Sequence, residues 1–102
     1  MPSRFEPCGL SQMIALKYGT IPIVRATGGL EDSIKGYPLD GADGFKFFNY
    51  NAQDMLRSIN YAIETYKNKR IWNKLIKNAM NADFSWTLSA KEYLKIYESL
   101  LA

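Results

Sequence analysis

The second half of the chain repeats hydrophobic residues at helical spacing. Between residues 51 and 102, apolar side chains recur every three or four positions in three blocks, which predicts three helices. The first block follows Asn51 and Asp54, a pair typical of a helix N-cap. The second block covers residues 69–80, and the third begins at Ser85 or Thr87. The side chains predicted to face the core are Met55, Leu56, Ile59, Ala62, Ile63, Tyr66, Trp72, Leu75, Ile76, Ala79, Met80, Ala90, Tyr93, Leu94, Tyr97, Leu100 and Leu101.

Residues 1–50 differ in composition, since they hold all seven glycines and all four prolines. A helix is predicted over residues 9–18, and it ends at Gly19 because glycine readily closes a helix. Its core-facing residues are predicted to be Leu10, Met13, Ile14 and Tyr18. Residues 21–24 and 44–47 are short apolar runs, which predict strands buried on both faces as in a parallel sheet.

The order of these elements indicates an α/β fold. Residues 27–30 form a turn into a short helical stretch and residues 35–44 are a loop, so the order is helix, strand, turn, strand and three helices. Two parallel strands are too few to cover this much apolar helix surface. We therefore interpret the chain as the C-terminal part of a larger α/β domain with a doubly wound sheet, of which two short parallel strands and several helices lie in this chain. A strand edge left open beside residues 21–24 predicts a homo-oligomer formed through that edge or by swapping of the last helix.

Composition excludes several kinds of chemistry. The 102 residues include no histidine and a single cysteine, Cys8, which excludes histidine-based triads, histidine metal sites and an internal disulfide. One cysteine and the lack of an apolar leader in the first residues favour a reducing, cytoplasmic location. No apolar run approaches the ~20 residues of a membrane span, so no membrane partner is expected.

The net charge of +3 is mild, and its main feature is a basic stripe that contains no acid. The stripe consists of Lys67, Lys69, Arg70, Lys74 and Lys77. We interpret it as a solvated helix face rather than a nucleic-acid surface, because no stacking aromatic signature or glycine-rich basic loop accompanies it. No nucleic-acid partner is therefore expected.

Two glycine-containing loops are the strongest candidates for a binding site. Glu6 stands before a predicted helix start, where Gly9 lets the backbone approach a ligand and unpaired amides favour phosphate. Gly28 and Gly29 open a second short helix after a strand. If both loops lie at the same end of a parallel sheet, they flank one crevice that suits a nucleoside diphosphate ester. Two alternatives stay open at this point: Glu6 only complements a helix dipole, and the glycine pair only forms a turn.

Residues 2–12, Pro-Ser-Arg-Phe-Glu-Pro-Cys-Gly-Leu-Ser-Gln, resemble the sugar-nucleotide loop of bacterial glycogen synthases and plant starch synthases. Residues 20–25 followed by Thr-Gly-Gly-Leu at 27–30 are similar to the second Gly-Gly-Leu motif of that family, in the same order and spacing. Gly-Phe at 44–45 matches the following strand, and Phe-Ser-Trp at 84–86 matches the segment before the last helix. The resemblance covers the whole chain.

The resemblance implies two Rossmann-like domains with an active site in the cleft between them. It implies transfer of glucose from ADP-glucose to the nonreducing 4-OH of an α-1,4-glucan with retention of configuration, and no cofactor or metal. Residues 1–86 match the C-terminal portion of the sugar-nucleotide domain, and residues 87–102 match a helix that packs back toward the N-terminal domain. The isolated chain is then expected to be inactive. The alternative is a non-catalytic remnant that weakly binds nucleotide or self-associates.

The resemblance also implies roles for individual residues. Glu6 matches a carboxylate that contacts the donor glucose and is needed for activity. Backbone amides of the first loop match those that hold the glucose and diphosphate, and the Gly-Gly-Leu turn lines the same cleft. Many related retaining transferases carry a second Glu where this chain has Ile14, a departure shared with glycogen synthases. The donor-binding residues implied in this way are Cys8, Gly9, Leu10, Ser11, Gln12, Thr27, Gly28, Gly29 and Leu30.

Overall fold

The structure, a computed structural model, describes residues 1–101 as five helices and two strands. In chain order these are α1 (Ser11–Lys17), β1 (Ile23–Arg25), α2 (Gly28–Ser33), β2 (Phe45–Phe47), α3 (Ala52–Tyr66), α4 (Lys69–Asn81) and α5 (Trp86–Leu101). The predicted α/β class is confirmed, with the turn after β1 continuing as α2. Within residues 1–101, no helix combines the length and the apolar character needed to cross a membrane.

The two strands are parallel and lie side by side, with Ile23 opposite Phe45 and Arg25 opposite Phe47. The main chain of Met1 lies along the other edge of β1. Its nitrogen donates to the Ile23 carbonyl at 2.8 Å, and its carbonyl accepts from the Arg25 amide at 3.0 Å. These two bonds have the pattern of a parallel strand pair. Part of the edge that we predicted to be open is therefore occupied by residue 1.

The sheet is packed on both faces, as the short apolar strands predicted. Val24 and Phe45 are both fully buried and belong to separate apolar clusters. The Val24 cluster also contains Leu16, Leu30, Ile34 and Ala79, and the Phe45 cluster also contains Ala42, Ala62 and Leu75. Helix α3 contacts both strands, while α4 contacts both α1 and α3. Side chains of α4 thus lie in each cluster.

Helix caps fall where the sequence places them. The Asn51 side chain accepts from the Asp54 amide at 2.8 Å, which confirms the predicted start of α3. The Ser85 hydroxyl accepts from the Leu88 amide at 3.2 Å, so α5 begins after Ser85, the first of the two predicted starts. Each bond satisfies one of the amides that a helix start leaves unpaired.

The predicted core face of α5 is wrong for this chain, because none of the described α5 residues is buried. Trp86 is 84% exposed and Leu101 is 87% exposed. The same exposure is found for the predicted inward-facing set Ala90, Tyr93, Leu94, Tyr97 and Leu100. An amphipathic pattern shows that a helix face needs a partner, but it does not place the partner in the same chain.

The predicted face of α1 is also wrong. Leu10 is 68% exposed, and Ile14 and Tyr18 are exposed as well, whereas Gln12 and Leu16 are buried. Gln12 and Leu16 are four residues apart, so they share the helix face that is turned toward the core. Several predicted core positions of α3 and α4 are exposed in the same way, namely Leu56, Ile63, Tyr66 and Met80.

Candidate functional site

The two predicted glycine loops lie in direct contact. The Gly29 amide donates to the Glu6 carbonyl at 2.9 Å. A Cβ atom on Gly28 would collide with that same carbonyl oxygen, and a Cβ on Gly29 would collide with the carbonyl oxygen of Cys8. Gly28 also has a positive φ of 49°, which side chains disfavour. The glycine pair therefore does more than form a turn, because it lets one loop lie against the other.

The Glu6 carboxylate is half-buried beside this contact. Its Oε2 accepts from the Ser3 hydroxyl at 3.2 Å, and no cation among residues 1–101 forms an ion pair with it. Helix α1 begins at Ser11 and has no acidic residue in its first turn. Glu6 is therefore not a first-turn acid of α1.

Arg25, at the end of β1, fixes the loop that carries Glu6. Its Nη1 donates to the carbonyls of Arg4 at 2.8 Å and Ser3 at 3.4 Å. Its guanidinium lies 5.6 Å from the ring centre of Tyr50, a favourable cation–π distance. Sequence reasoning missed this residue. The available signal was a lone cation at the carboxyl end of a buried strand, where ligands of parallel sheets bind.

The backbone between the loop and α1 presents three unpaired amides. Among residues 1–101, the amides of Cys8, Gly9 and Leu10 donate to no protein acceptor. Gly9 has a positive φ of 70°, which gives the chain its sharp turn into the helix. Ser11 follows as the exposed first residue of α1, and the thiol of Cys8 is free. These amides can donate to an external anion.

Two of the predicted donor-binding residues have buried side chains. Leu30 is fully buried in the Val24 cluster, and Gln12 is fully buried with its amide directed at loop carbonyls. Neither side chain reaches the surface, so only the backbone of these two residues can line a donor site. Thr27 is the half-buried N-cap of α2, and its carbonyl accepts from the Leu30 amide at 3.0 Å.

Comparisons with known proteins agree with the motifs. No family model matches the chain. Glycogen synthase of Clostridium botulinum (strain Eklund 17B / Type B) is 55% identical over 102 residues, which cover 98% of this chain and 21% of that protein. Glycogen synthase of Bacillus cereus (strain Q1) is 54% identical over 103 residues, or 99% of this chain and 22% of that protein. Over nearly its whole length, this chain is similar to the glycogen synthase and starch synthase family.

The fold of the chain agrees with that family. The catalytic domain of Starch Synthase IV from Arabidopsis thaliana, solved with ADP and acarbose bound, superposes with a TM-score of 0.82 at 41% identity. The match covers 96% of this chain and 21% of that structure. The chain thus spans about a fifth of the length of its glycogen and starch synthase relatives.

The basic stripe lies on α4 and just before it. All five of its side chains are exposed. Lys67 pairs with Glu64 at 3.0 Å, and the Lys69 ammonium lies 5.5 Å from the ring centre of Tyr66. Such local partners are typical of a solvated helix face.

Proposed function

We propose that this chain is the donor-binding part of a retaining glucosyltransferase that moves glucose from ADP-glucose to the nonreducing 4-OH of an α-1,4-glucan. The similarity to glycogen synthases supports the reaction, and a similar starch synthase IV structure holds ADP and acarbose. One observation carries the assignment of the site: the Gly29 amide and Glu6 carbonyl join the two family motifs at 2.9 Å. The sugar nucleotide would bind along this contact.

In this proposal the first loop acts on the diphosphate. Departure of ADP leaves negative charge on the β-phosphate, and amides that are already positioned stabilise such charge without reorganising. The amides of Cys8, Gly9 and Leu10 supply these donors, and the exposed Ser11 lies next to them. The turn formed by Thr27, Gly28 and Gly29 lines the opposite side of the donor site.

In the same proposal the Glu6 carboxylate orients the donor glucose. A carboxylate that accepts bonds from sugar hydroxyls fixes the reacting carbon and supports the positive charge of an oxocarbenium-like transition state. The Ser3 hydroxyl occupies only one of its oxygens. No metal ion or other cofactor is part of the proposal, because amides and a carboxylate supply these contacts.

The proposal divides the chain into residues 1–86, in the sugar-nucleotide domain, and residues 87–102, a helix that packs toward the N-terminal domain of the complete enzyme. The lack of any buried residue in the described part of α5 supports this division. Glucosyl transfer would need the remaining four-fifths of the enzyme, so the isolated chain would bind the donor without turnover. The proposal also places the protein in a reducing compartment, the cytoplasm, because the exposed thiol of Cys8 is free.

The test is an amide-resolved NMR titration of the chain with ADP-glucose. Saturable shifts confined to residues 8–12 and 27–30 are expected. ADP alone should reproduce the shifts of the first loop, while glucose 1-phosphate should not. A folded spectrum that stays unchanged at millimolar ADP-glucose, or shifts spread over the basic stripe, would refute the donor site in this chain.

A second candidate function is self-association, and the apolar exposure of α5 favours it. Trp86, Tyr93, Leu94, Tyr97 and Leu101 are all exposed on this one helix. Apolar patches of this kind mark surfaces that bind another protein. Two copies could exchange α5, or pair through it, to form a homo-oligomer. If the chain self-associates, sedimentation equilibrium would show a mass that rises with concentration. If it does not, the mass would stay that of the monomer.

A further inference from the structure

Gln12 links the two loops of the site through a buried chain of hydrogen bonds. Its side-chain nitrogen Nε2 donates to the carbonyls of Cys8 at 3.0 Å and Gly9 at 3.1 Å. The same nitrogen lies 3.1 Å from the hydroxyl oxygen of Ser33, which in turn donates to the carbonyl of Gly29 at 2.5 Å. One side-chain amide thus holds the first loop on one side and, through Ser33, the second loop on the other.

The position of Gln12 leaves little room for a side chain at residue 9, where the positive φ of 70° already disfavours one. A Cβ on Gly9 would lie 2.7 Å from Oε1 of Gln12 and 3.1 Å from Nε2. The Gln12 side chain is fully buried, and its Oε1 has no protein partner among the described residues. A buried polar group with an unpaired oxygen does not add stability by itself. Its value lies in the geometry that Nε2 imposes on the loop carbonyls.

We propose that Gln12 and Ser33 are positioning residues that set the separation of the two donor-binding loops. The role of the pair in donor binding rests on the proposed function, whereas the hydrogen-bonded link between the two loops does not. By holding the carbonyls of Cys8, Gly9 and Gly29 inward, the pair directs the neighbouring amides outward toward the diphosphate. Neither residue contacts the donor. Loss of either bond would let the loops separate, first at the Gly29–Glu6 hydrogen bond.

The variants that test the pair are Gln12→Met, which keeps the length of the side chain without its amide, and the smaller change Ser33→Ala. Ser33→Thr keeps the hydroxyl and serves as the conservative rescue. The matched control is Gln53→Met, because Gln53 is also the second residue of a helix but is exposed. Amide hydrogen exchange is measured at Gly29, which donates to Glu6, and at the core residue Leu75.

Gln12→Met and Ser33→Ala should each speed exchange at Gly29 by a factor of about ten while Leu75 is unchanged. The double variant should show little more than either single effect, because both substitutions break the same chain of bonds. Ser33→Thr and Gln53→Met should behave as the unmodified chain. Unchanged exchange at Gly29 would overturn the inference, and so would faster exchange at Gly29 and Leu75 together, which indicates general destabilisation.

A parallel NMR titration with ADP separates this inference from the proposed function. If the unmodified chain binds ADP, the two variants should weaken binding about as much as they loosen Gly29, by roughly tenfold. Normal affinity in a variant with fast Gly29 exchange would refute the positioning role. If the unmodified chain does not bind ADP, the proposed function fails for this chain, while the exchange at Gly29 still decides whether the pair links the loops.

Discussion

Gly29 packs against the carbonyl oxygen of Cys8 so closely that no Cβ atom fits between them. The two residues belong to separate motifs, one before α1 and one in the first turn of α2. The contact therefore makes a glycine at position 29 a requirement of tertiary structure rather than of a local turn. It also gives a direct test of how the loops are held together.

Gly29→Ala is expected to lower the free energy of unfolding by about 1–3 kcal/mol, the usual cost of overpacking. The gain in helix propensity from alanine, about 1 kcal/mol, is too small to offset the collision with Cys8. The matched control is Gly36→Ala, whose Cβ would meet only the flexible Lys46 side chain at 3.4 Å. Urea unfolding of both variants checks the prediction, and equal stabilities would contradict it.

Asp43 should make the stability of the chain depend on pH. The carboxylate is buried, which raises the pKa of Asp43 above its ordinary value of 3.8, although its bond from the Lys35 amide at 2.8 Å acts in the opposite direction. A raised pKa means that the folded state holds the proton more tightly. The stability that this proton contributes is complete below pH 3.8 and is lost as the pH rises through the folded-state pKa.

Asp43→Asn removes this titration and keeps an oxygen to accept from Lys35. The stability of the unmodified chain relative to Asp43→Asn should therefore fall as the pH rises above 3.8 and through the raised folded-state pKa of Asp43. The control is Asp83→Asn, because hydrogen bonds from the hydroxyl and amide of Ser85 lower the pKa of Asp83. The stability of the unmodified chain relative to Asp83→Asn should change with pH in the opposite direction, so that it is lost as the pH falls. Parallel pH profiles for the two variants would contradict the assignment.

The hydrophobic period predicted the helices well, because α3, α4 and α5 depend on local spacing and on caps such as Asn51 and Ser85. It did not predict which apolar faces are covered. Residues such as Leu10 and Leu94 satisfy the pattern of a core face and are exposed. Periodicity shows that a face is apolar, whereas the location of its partner depends on the tertiary structure.

The candidate site shows the same division. The glycines at 28 and 29 predicted a close approach of backbone, but no local rule identifies the carbonyls of Glu6 and Cys8, some twenty residues earlier, as its partners. The buried position of Gln12 had no sequence signal, since a glutamine in the first turn of a helix is usually exposed. Long-range hydrogen bonds of this kind emerge only from the folded chain.

The Glu6 carboxylate can be tested in a full-length enzyme that carries this segment. Glu6→Gln should reduce turnover by about 10²-fold or more, because the donor glucose loses the group that orients it. The melting temperature should stay close to that of the unmodified enzyme, since within residues 1–101 the carboxylate accepts only from the Ser3 hydroxyl, and the glutamine oxygen can accept that bond as well. Glu64→Gln, which removes an exposed carboxylate paired with Lys67, is the control and should retain activity. Near-normal turnover in Glu6→Gln would refute the proposed role.

Helix α5 offers the last prediction, because it contributes no buried side chain within the described part of the chain. Removing residues 86–102 should therefore change the free energy of unfolding of the remaining chain by less than about 1 kcal/mol, since little apolar area is re-exposed. The matched truncation that also removes α4 should unfold the chain, because Leu75 and Ala79 leave the core. Calorimetry measures the stability of each truncated chain, and sedimentation measures its oligomeric state. A large loss of stability on removing α5, together with a change from oligomer to monomer, would show that α5 is buried between copies in solution.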